Sequence, residues 1–499
     1  MCGIVALSGD VSPQYGHDML ARLSHRGPDG HGTASVGDAW LGHTRLAIVD
    51  VDGGDQPLRA GGAAMVGNGE IYNHRRLRRS LPPGACRTDS DNEVALHLVT
   101  TFGPDGLGEL WGMYAVAVAT EEHGLVVARD PLGIKPLYWA RVDGGVAFAS
   151  ELKAFPREWQ PLVATFPPGH WWTDRHGLRP MHQGWRPRPA TDHATAGPPA
   201  EPDIARIRET LIAAVDRWSM ADVPVGVLLS GGLDSTLVGA IAARRQGRPL
   251  HSFTVGLPGS ADLKAAEEAA DLLGTEHHVR EVQPEDLVGR LPHTIRSIES
   301  FDPMLVHSAV MNDLLAEFAA EYVKVVLTGE GADELFAGYE YHRSYDDPSQ
   351  LHEALVDGVA GLHNLNLQRC DRVTMAHGLE ARVPFLDLDV VRTALSLPAS
   401  WKRPTPTRPE KWLLRTAFDG WLPDWLLWRR KEQFGDGTGA SDVLAAHAAE
   451  QVDRAAFRRI RSAAPTRLRT PEEAYYYTLF AEHYPDVDAD DVAGRFAAA

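Results

Sequence analysis

The sequence predicts two domains of different class: an α+β sandwich of two antiparallel sheets flanked by helices, then an α/β domain on a parallel sheet. Three observations carry this. Up to about residue 185, short apolar runs alternate with period two, as in Met113–Thr120 and Leu125–Arg129. Beyond about residue 203, apolar strands alternate with helical runs, the pattern of a parallel sheet covered on both faces. Between them Arg186–Pro202 (RPRPATDHATAGPPAEP) is rich in proline and alanine and has no apolar period, so it reads as a linker. The domains are placed at residues 2–195 and 203–499.

The 499 residues suffice for about two to four domains, and 44% hydrophobic with 23% charged residues is ordinary for a globular chain with a sizeable core. A net charge of −18 argues against nucleic acid as a main partner, which needs a basic face, and does not forbid a local anion site. No apolar run approaches the roughly 20 residues of a membrane span, and Met1-Cys2-Gly3-Ile4-Val5 lacks the pattern of a signal peptide. Cys2, Cys86 and Cys370 form no disulfide framework. A reducing cytoplasm is the expected setting.

In the first domain, helices are predicted near Gly16–Ser24, Asn73–Ser80 and Asp91–Thr101, with Ser90-Asp91 as an N-cap. Cys2 becomes the N-terminus once Met1 is removed. It then carries a thiol and an α-amine whose pKa near 7.7–8.0 lets it act as base for that thiol. Ser24–Gly30 is a polar turn-rich loop, and strand pieces follow around Leu41–Asp50. Arg45 in that apolar context calls for a carboxylate partner. Met65–Asn73 reads as a strand ending in an Asn-Gly turn, where the Asn68 amide and the Gly69 N–H can form an oxyanion hole. Glu70 and Asp91 are carboxylates suited to an ammonium.

The strings MCGIV, HRGPD, HTRLAIVD, NGEIYNH and SDNEV, in this order, resemble the class II glutamine amidotransferases over roughly residues 2–185. The resemblance implies an N-terminal-nucleophile (Ntn) hydrolase αββα sandwich. It implies that Cys2 attacks the glutamine amide and that Asn68 and Gly69 hold the oxyanion. Arg45 would grip the α-carboxylate beside Leu46, Ala47, Ile48 and Val49, with Glu70 and Asp91 on the α-ammonium.

The second domain opens with a helix whose Ile204, Ile207, Leu211 and Val215 share one face. The strand Val225–Leu229 then runs into Ser230-Gly231-Gly232, and a helix follows Asp234-Ser235. Strand, glycine loop and helix start form a phosphate cradle, because glycines admit the anion and free N–H groups face it. No lysine follows the glycines, so this is not a Walker A loop. The string SGGLDS instead resembles the PP-loop of ATP pyrophosphatases, which cleave ATP between its α and β phosphates. Further strands are predicted at His251–Val255, near His277–Val282 and at Val323–Thr328, with a helix at Leu263–Leu273. Strand carboxyl ends bring Ser230–Ser235, Val255-Gly256 and Thr328–Glu334 to one crevice. Asp234 and Asp333 are the candidate Mg²⁺ ligands, since this hard cation takes carboxylates and phosphate oxygens.

Over roughly residues 203–485 the strings VPVGVLLSGGLDS, SFTVGLPGSADLKAA, LTGEGADELFAGY, HGLEARVPFLD and WRRKEQFGDGTG resemble the asparagine synthetase domain. The resemblance implies ATP contacts at Leu229, Val255, Thr328 and Gly329, and a catalytic Glu330. It places Lys431 at the pyrophosphate or transition state and Asp387 near the acceptor pocket. Arg429 and Arg430 read as solvated charges. The family's Thr-Thr-x-Arg is replaced here by Met304-Leu305-Val306-His307, which loses a guanidinium fork and two hydroxyls. The expected reaction converts aspartate, ATP and glutamine to asparagine, AMP, pyrophosphate and glutamate. The rival readings are another carboxylate acceptor, ring closure with an idle glutaminase, or a non-catalytic scaffold. A homodimer is expected by analogy alone. A helix-like run at Glu472–Tyr484 and an alanine-rich tail carry no assigned chemistry.

Overall fold

A computed structural model describes residues 2–182, 184–186, 197–245, 249–429 and 439–496. The first domain holds strands β1 (Gly3–Gly9), β2 (Gly30–Val36), β3 (Ala39–Arg45), β4 (Leu58–Ala60), β5 (Ala63–Ile71), β6 (Gly112–Thr120), β7 (Gly124–Arg129), β8 (Tyr138–Val142), β9 (Gly145–Ala149), β10 (Val163–Thr165), β11 (His170–Thr173) and β12 (Gly177–Pro180). They form two six-stranded antiparallel sheets, ordered β10-β8-β9-β1-β3-β2 and β12-β11-β7-β6-β5-β4.

Period-two alternation sorts each strand's side chains between two faces. Ile4, Ala6, Leu41 and Phe148 of one sheet meet Ala64, Val66, Ala115, Ala117 and Val127 of the other in a buried middle layer. The intervening Met65, Val116 and Val118 face outward and pack with Val94 and Leu98 of the helix Glu93–Phe102. Val5 and Leu7 face the other way, onto Met19 and Leu20 around the helix Pro13–Ala21. The four layers are helix, sheet, sheet, helix.

The second domain carries β13 (Val225–Leu228), β14 (His251–Gly256), β15 (Glu276–Glu281), β16 (Val325–Leu327) and β17 (Glu380–Arg382) in one parallel sheet, ordered β15-β14-β13-β16-β17. The opening helix Glu201–Trp218 buries Ile207, Leu211 and Val215, the apolar face read from the sequence. Its first two residues, Glu201 and Pro202, fall inside the predicted linker, since proline is tolerated in a first helical turn. Linker residues 187–196 lie outside the described residues.

Three local expectations change. Asn68-Gly69 is no turn: β5 runs through it, with Asn68 opposite Ala115 and Gly69 opposite Tyr114. Glycine keeps the strand paired there, because φ is +135° and a Cβ would lie 1.9 Å from the Met113 carbonyl oxygen. Asp91 is no helix cap, since it accepts from the Ile71 N–H at 2.5 Å instead. The strand β17 was not foreseen, being three residues long with a charge at each end. Both charges are buried and paired, Arg382 Nε donating to Glu380 Oε1 at 2.5 Å.

The two domains meet across buried charge. Arg26, fully buried, donates to Glu151 Oε1 at 2.5 Å and to Asp371 Oδ2 at 2.9 Å. Glu299 accepts from the Leu152 and Lys153 N–H groups at 3.1 and 2.8 Å and from Arg372 at 3.1 Å. Arg382 of β17 reaches Glu70 of β5 at 3.3 Å. Breaking one partner of such a pair leaves an uncompensated buried charge, which penalises separation of the two domains.

Candidate active sites

Cys2 directly precedes β1, an interior strand, and is buried. A pocket beside it is lined by Arg45, Leu46, Ile48, Val49, Gly69, Glu70 and Asp91. The Cys2 N–H donates to Asn68 Oδ1 at 3.1 Å. That contact turns the amide nitrogen away, and Asn68 Nδ2 is buried without a hydrogen-bond partner among the described residues. A buried unpaired donor beside a thiol is costly unless a reacting oxygen will use it. Asn92 Nδ2 holds the Gly69 carbonyl at 2.9 Å. Ala47 is fixed by its N–H bond to Asp29 at 2.7 Å and does not line the pocket.

Arg45 donates to the Val51 and Asp50 carbonyls at 2.9 and 2.6 Å and to Asp55 Oδ1 at 2.8 Å. Because the Asp55 side chain is 84% exposed, it is a counter-ion that another carboxylate can displace. Burial pushes Asp91 up to about 6, against the pull of the Ile71 N–H and the Asn92 amide. Burial, then Asp91 and Glu380, raise Glu70 well above the usual carboxylate range. Burial also raises the Cys2 thiol, so the nucleophile rests protonated and needs a base.

The second cavity opens at the carboxyl ends of the parallel strands. Leu229, Ser230, Gly232, Asp234, Ser235, Thr328, Gly329, Glu330 and Asp333 all line it. The loop after β13 is tied by its own hydroxyls: Ser230 Oγ lies 3.0 Å from Ser235 Oγ and accepts from the Gly232 N–H at 3.3 Å. Gly231 has φ +67°, and a Cβ there would lie 2.4 Å from the Ala265 backbone. At Gly329 a Cβ would meet Asp234 Cβ at 2.7 Å, so glycine lets the two loops close together.

Sequence reasoning missed four cations here. Lys411 is buried between the two acidic candidates, bonded to Asp234 and 2.8 Å from Asp333 Oδ1. Despite burial these carboxylates hold its ammonium well charged. Arg369 bonds Glu330, and Arg415 lines the wall. Arg429, read as a solvated charge, lines the cavity and donates to the Gly231 carbonyl at 3.2 Å. Only Lys411 and Arg415, in Glu410-Lys411-Trp412-Leu413-Leu414-Arg415, offered a local signal: one positive charge per helical turn after an acid.

Other expectations shift. The Val255 side chain is fully buried in the core and does not line the cavity. Asp387 is buried away from the cavity, where it accepts from Trp218 Nε1 at 2.8 Å, pairs with Arg217 and caps the helix Leu388–Ser396. Met304–His307 opens the helix Pro303–Ala320 outside the cavity: Met304 is 49% exposed, Leu305 and Val306 are core, and His307 Nε2 lies 2.6 Å from Glu472. Asn312 and Leu315, further along that helix, line the cavity instead. Lys431 and Arg430 lie outside the described residues.

One helix joins the sites. Arg26 Nε donates to the Cys2 carbonyl at 2.9 Å, and Arg26 also holds Asp371. Asp371 belongs to the helix Asn366–Met375, whose Arg369, Cys370, Val373 and Thr374 line the second cavity.

The fold defines a class: an αββα sandwich of the Ntn amidotransferase type fused to a parallel-sheet domain with a PP-loop-like turn. Residues 1–165 match the glutamine amidotransferase domain, and residues 206–353 and 343–493 match asparagine synthase. The chain is 39% identical to asparagine synthetase [glutamine-hydrolyzing] 3 of Arabidopsis thaliana, covering 97% of this chain and 88% of that protein. It is 38% identical to the asparagine synthetase [glutamine-hydrolyzing] of Sandersonia aurantiaca, covering 98% and 97% of the two chains. This chain belongs to the glutamine-hydrolysing asparagine synthetase family.

Proposed function

We propose that this chain makes asparagine from aspartate, ATP and glutamine, releasing AMP, pyrophosphate and glutamate. The observation that carries the glutaminase half is the unpaired Asn68 Nδ2 beside Cys2. With Met1 removed, the Cys2 amine takes the thiol proton as sulfur attacks the amide carbon. Asn68 Nδ2 and the Gly69 N–H hold the oxyanion, and ammonia leaves a thioester that water hydrolyses to glutamate. The substrate carboxylate displaces Asp55 on Arg45, while Asp91 and Glu70 take the ammonium.

In the second cavity the loop Ser230–Ser235 takes the phosphates, and Lys411, Arg369 and Arg415 offset their charge. An aspartate carboxylate attacks the α-phosphorus and expels pyrophosphate. Ammonia then displaces AMP, a far better leaving group than oxide. Glu330, turned to Arg369, serves the amide-forming step, and Lys431 belongs to the pyrophosphate side of this reading. Asp234 and Asp333 converge on one ammonium, so both are within reach of a single cation. An all-carboxylate donor pair suits Mg²⁺, which would neutralise the phosphates when bound. Ammonia is mostly ammonium in water at pH 7, which is reason enough for the two sites to share a chain. The reading includes a homodimer and a cytoplasmic setting. The described cysteines are all free, and no described helix is long and apolar enough to cross a membrane.

Cys2→Ala separates the halves. Glutamine-dependent asparagine formation should vanish while formation from an ammonium salt persists at the wild-type rate. Retention of glutamine-dependent synthesis by the variant would remove Cys2 from the chemistry.

A further inference from the structure

At the outer edge of the parallel sheet, β14 begins at His251 and β15 at Glu276, and these residues stand in register. The ATP-side cleft lies at the opposite, carboxyl ends of the same strands. His278 is two residues beyond Glu276, so alternation returns its side chain to the same face. His251 Nδ1 lies 3.1 Å from His278 Nε2 and 3.5 Å from Glu276 Oε2, and His278 Nε2 lies 3.8 Å from Glu276 Oε1. Four-coordinate zinc with bonds of about 2.0–2.2 Å sets its ligand atoms roughly 3.3 Å apart. Glu276 turns Oε2 to His251 and Oε1 to His278, and with one atom taken from each residue the three donors all lie within 4.8 Å of one another, so a small rotation of the exposed Glu276 side chain brings them to that spacing. Among the described residues, no other group of three His, Cys, Asp or Glu side chains converges this closely.

The His278 ring is held in place before any ion arrives. It stacks on Phe253 at 5.1 Å with an interplanar angle of 16°, and Tyr322 lies 4.1 Å away on centroids. The Glu276 side chain is 59% exposed, so a fourth position opens to water. Two imidazoles and one carboxylate favour zinc and its neighbours over Mg²⁺, which separates this site from the carboxylate pair at the phosphate loop.

We propose that His251, Glu276 and His278 bind one transition-metal dication of the zinc class, with water as fourth ligand, and that the ion clamps the edge strand β15 to β14. An edge strand tied to its neighbour is a poorer template for pairing with other chains. The ion stabilises the fold by mass action because the unfolded chain does not hold the triad together.

The test uses the full chain freed of metal by a chelator. Zn²⁺ is titrated against a competing chromophoric chelator, and Co²⁺ is added in parallel for its visible spectrum. Wild type should bind one equivalent at this site, with a tetrahedral Co²⁺ spectrum free of thiolate charge-transfer bands and a rise in melting temperature with Zn²⁺. Glu276→Gln, at an exposed position, should fold as wild type, weaken that equivalent at least tenfold and lose most of the melting shift. His278→Asn and His251→Gln should do the same. Equal binding by wild type and all three variants would overturn the site, as would failure of wild type to bind an equivalent. A bare hydrogen bond between the two rings would then account for their approach.

Discussion

In the proposed glutaminase reaction, Asn68 is the residue on which the chemistry turns. Its oxygen is used by the Cys2 N–H, and its nitrogen has no hydrogen-bond partner among the described residues. Losing one oxyanion donor costs about 10²–10³ in kcat. Asn68→Ala should therefore cut glutamate release by that factor with little change in KM, read in a glutaminase assay. A loss under tenfold would mean the amide does not meet the oxyanion. Asp91, pushed up to about 6, must be ionised to hold an ammonium. Glutaminase kcat/KM should fall about tenfold per pH unit below that value, and Asp91→Asn should flatten this limb at a low rate. The stability effect has the opposite sign. An acid whose folded pKa is raised binds its proton more tightly when folded, so the stability that proton gives is lost as pH rises from about 4 to about 6.

Among the elements, the helices Pro284–Ile298 and Pro303–Ala320 are pinned by one buried carboxylate. Asp313 accepts from Arg290 Nε at 3.0 Å and Thr294 at 2.7 Å, and lies 2.9 Å from His293 Nδ1 and 2.6 Å from His377 Nε2. These partners hold its carboxyl well below the usual range against the cost of burial. Its contribution is present above the unfolded pKa and is lost as pH falls. Asp313→Ala should cost about 3–5 kcal/mol in urea unfolding, because it strands Arg290 with no full substitute. A loss under about 1 kcal/mol would show that the network is ornamental.

The same elements show what could be read from the chain. Strands such as β5 and helices such as Glu201–Trp218 were legible because Ala64, Met65, Val66 and Ile207, Leu211, Val215 follow simple periods, whereas the helices Pro284–Ile298, Pro303–Ala320 and Pro348–Gly361 were not read from the sequence. Cys2, Asn68 and the SGGLDS loop were legible because their chemistry is local. Arg369 and Arg429 were not: each acts on a carboxylate or carbonyl more than 30 residues away, and neither spacing nor composition records such pairings. β17 was hidden for the same reason, its Glu380 and Arg382 being buried by charge pairing rather than by apolar character. Met304–His307 drew attention as a departure, yet their side chains stand in the core, in solvent or on Glu472.

At the scale of the whole molecule, the account rests on two sites sharing one buried seam. Arg26 touches the Cys2 carbonyl and Asp371, and the helix of Asp371 walls the nucleotide cavity. The proposed reaction requires the nitrogen released at Cys2 to reach an acceptor activated in that cavity. The most direct test supplies amide-¹⁵N glutamine, ATP and Mg²⁺, with and without aspartate, in a buffer holding unlabelled ammonium. Pyrophosphate and asparagine are then measured together. The account predicts aspartate-dependent pyrophosphate release matched one to one by asparagine carrying mostly ¹⁵N. Glutamate release without aspartate-dependent pyrophosphate would contradict the assigned acceptor.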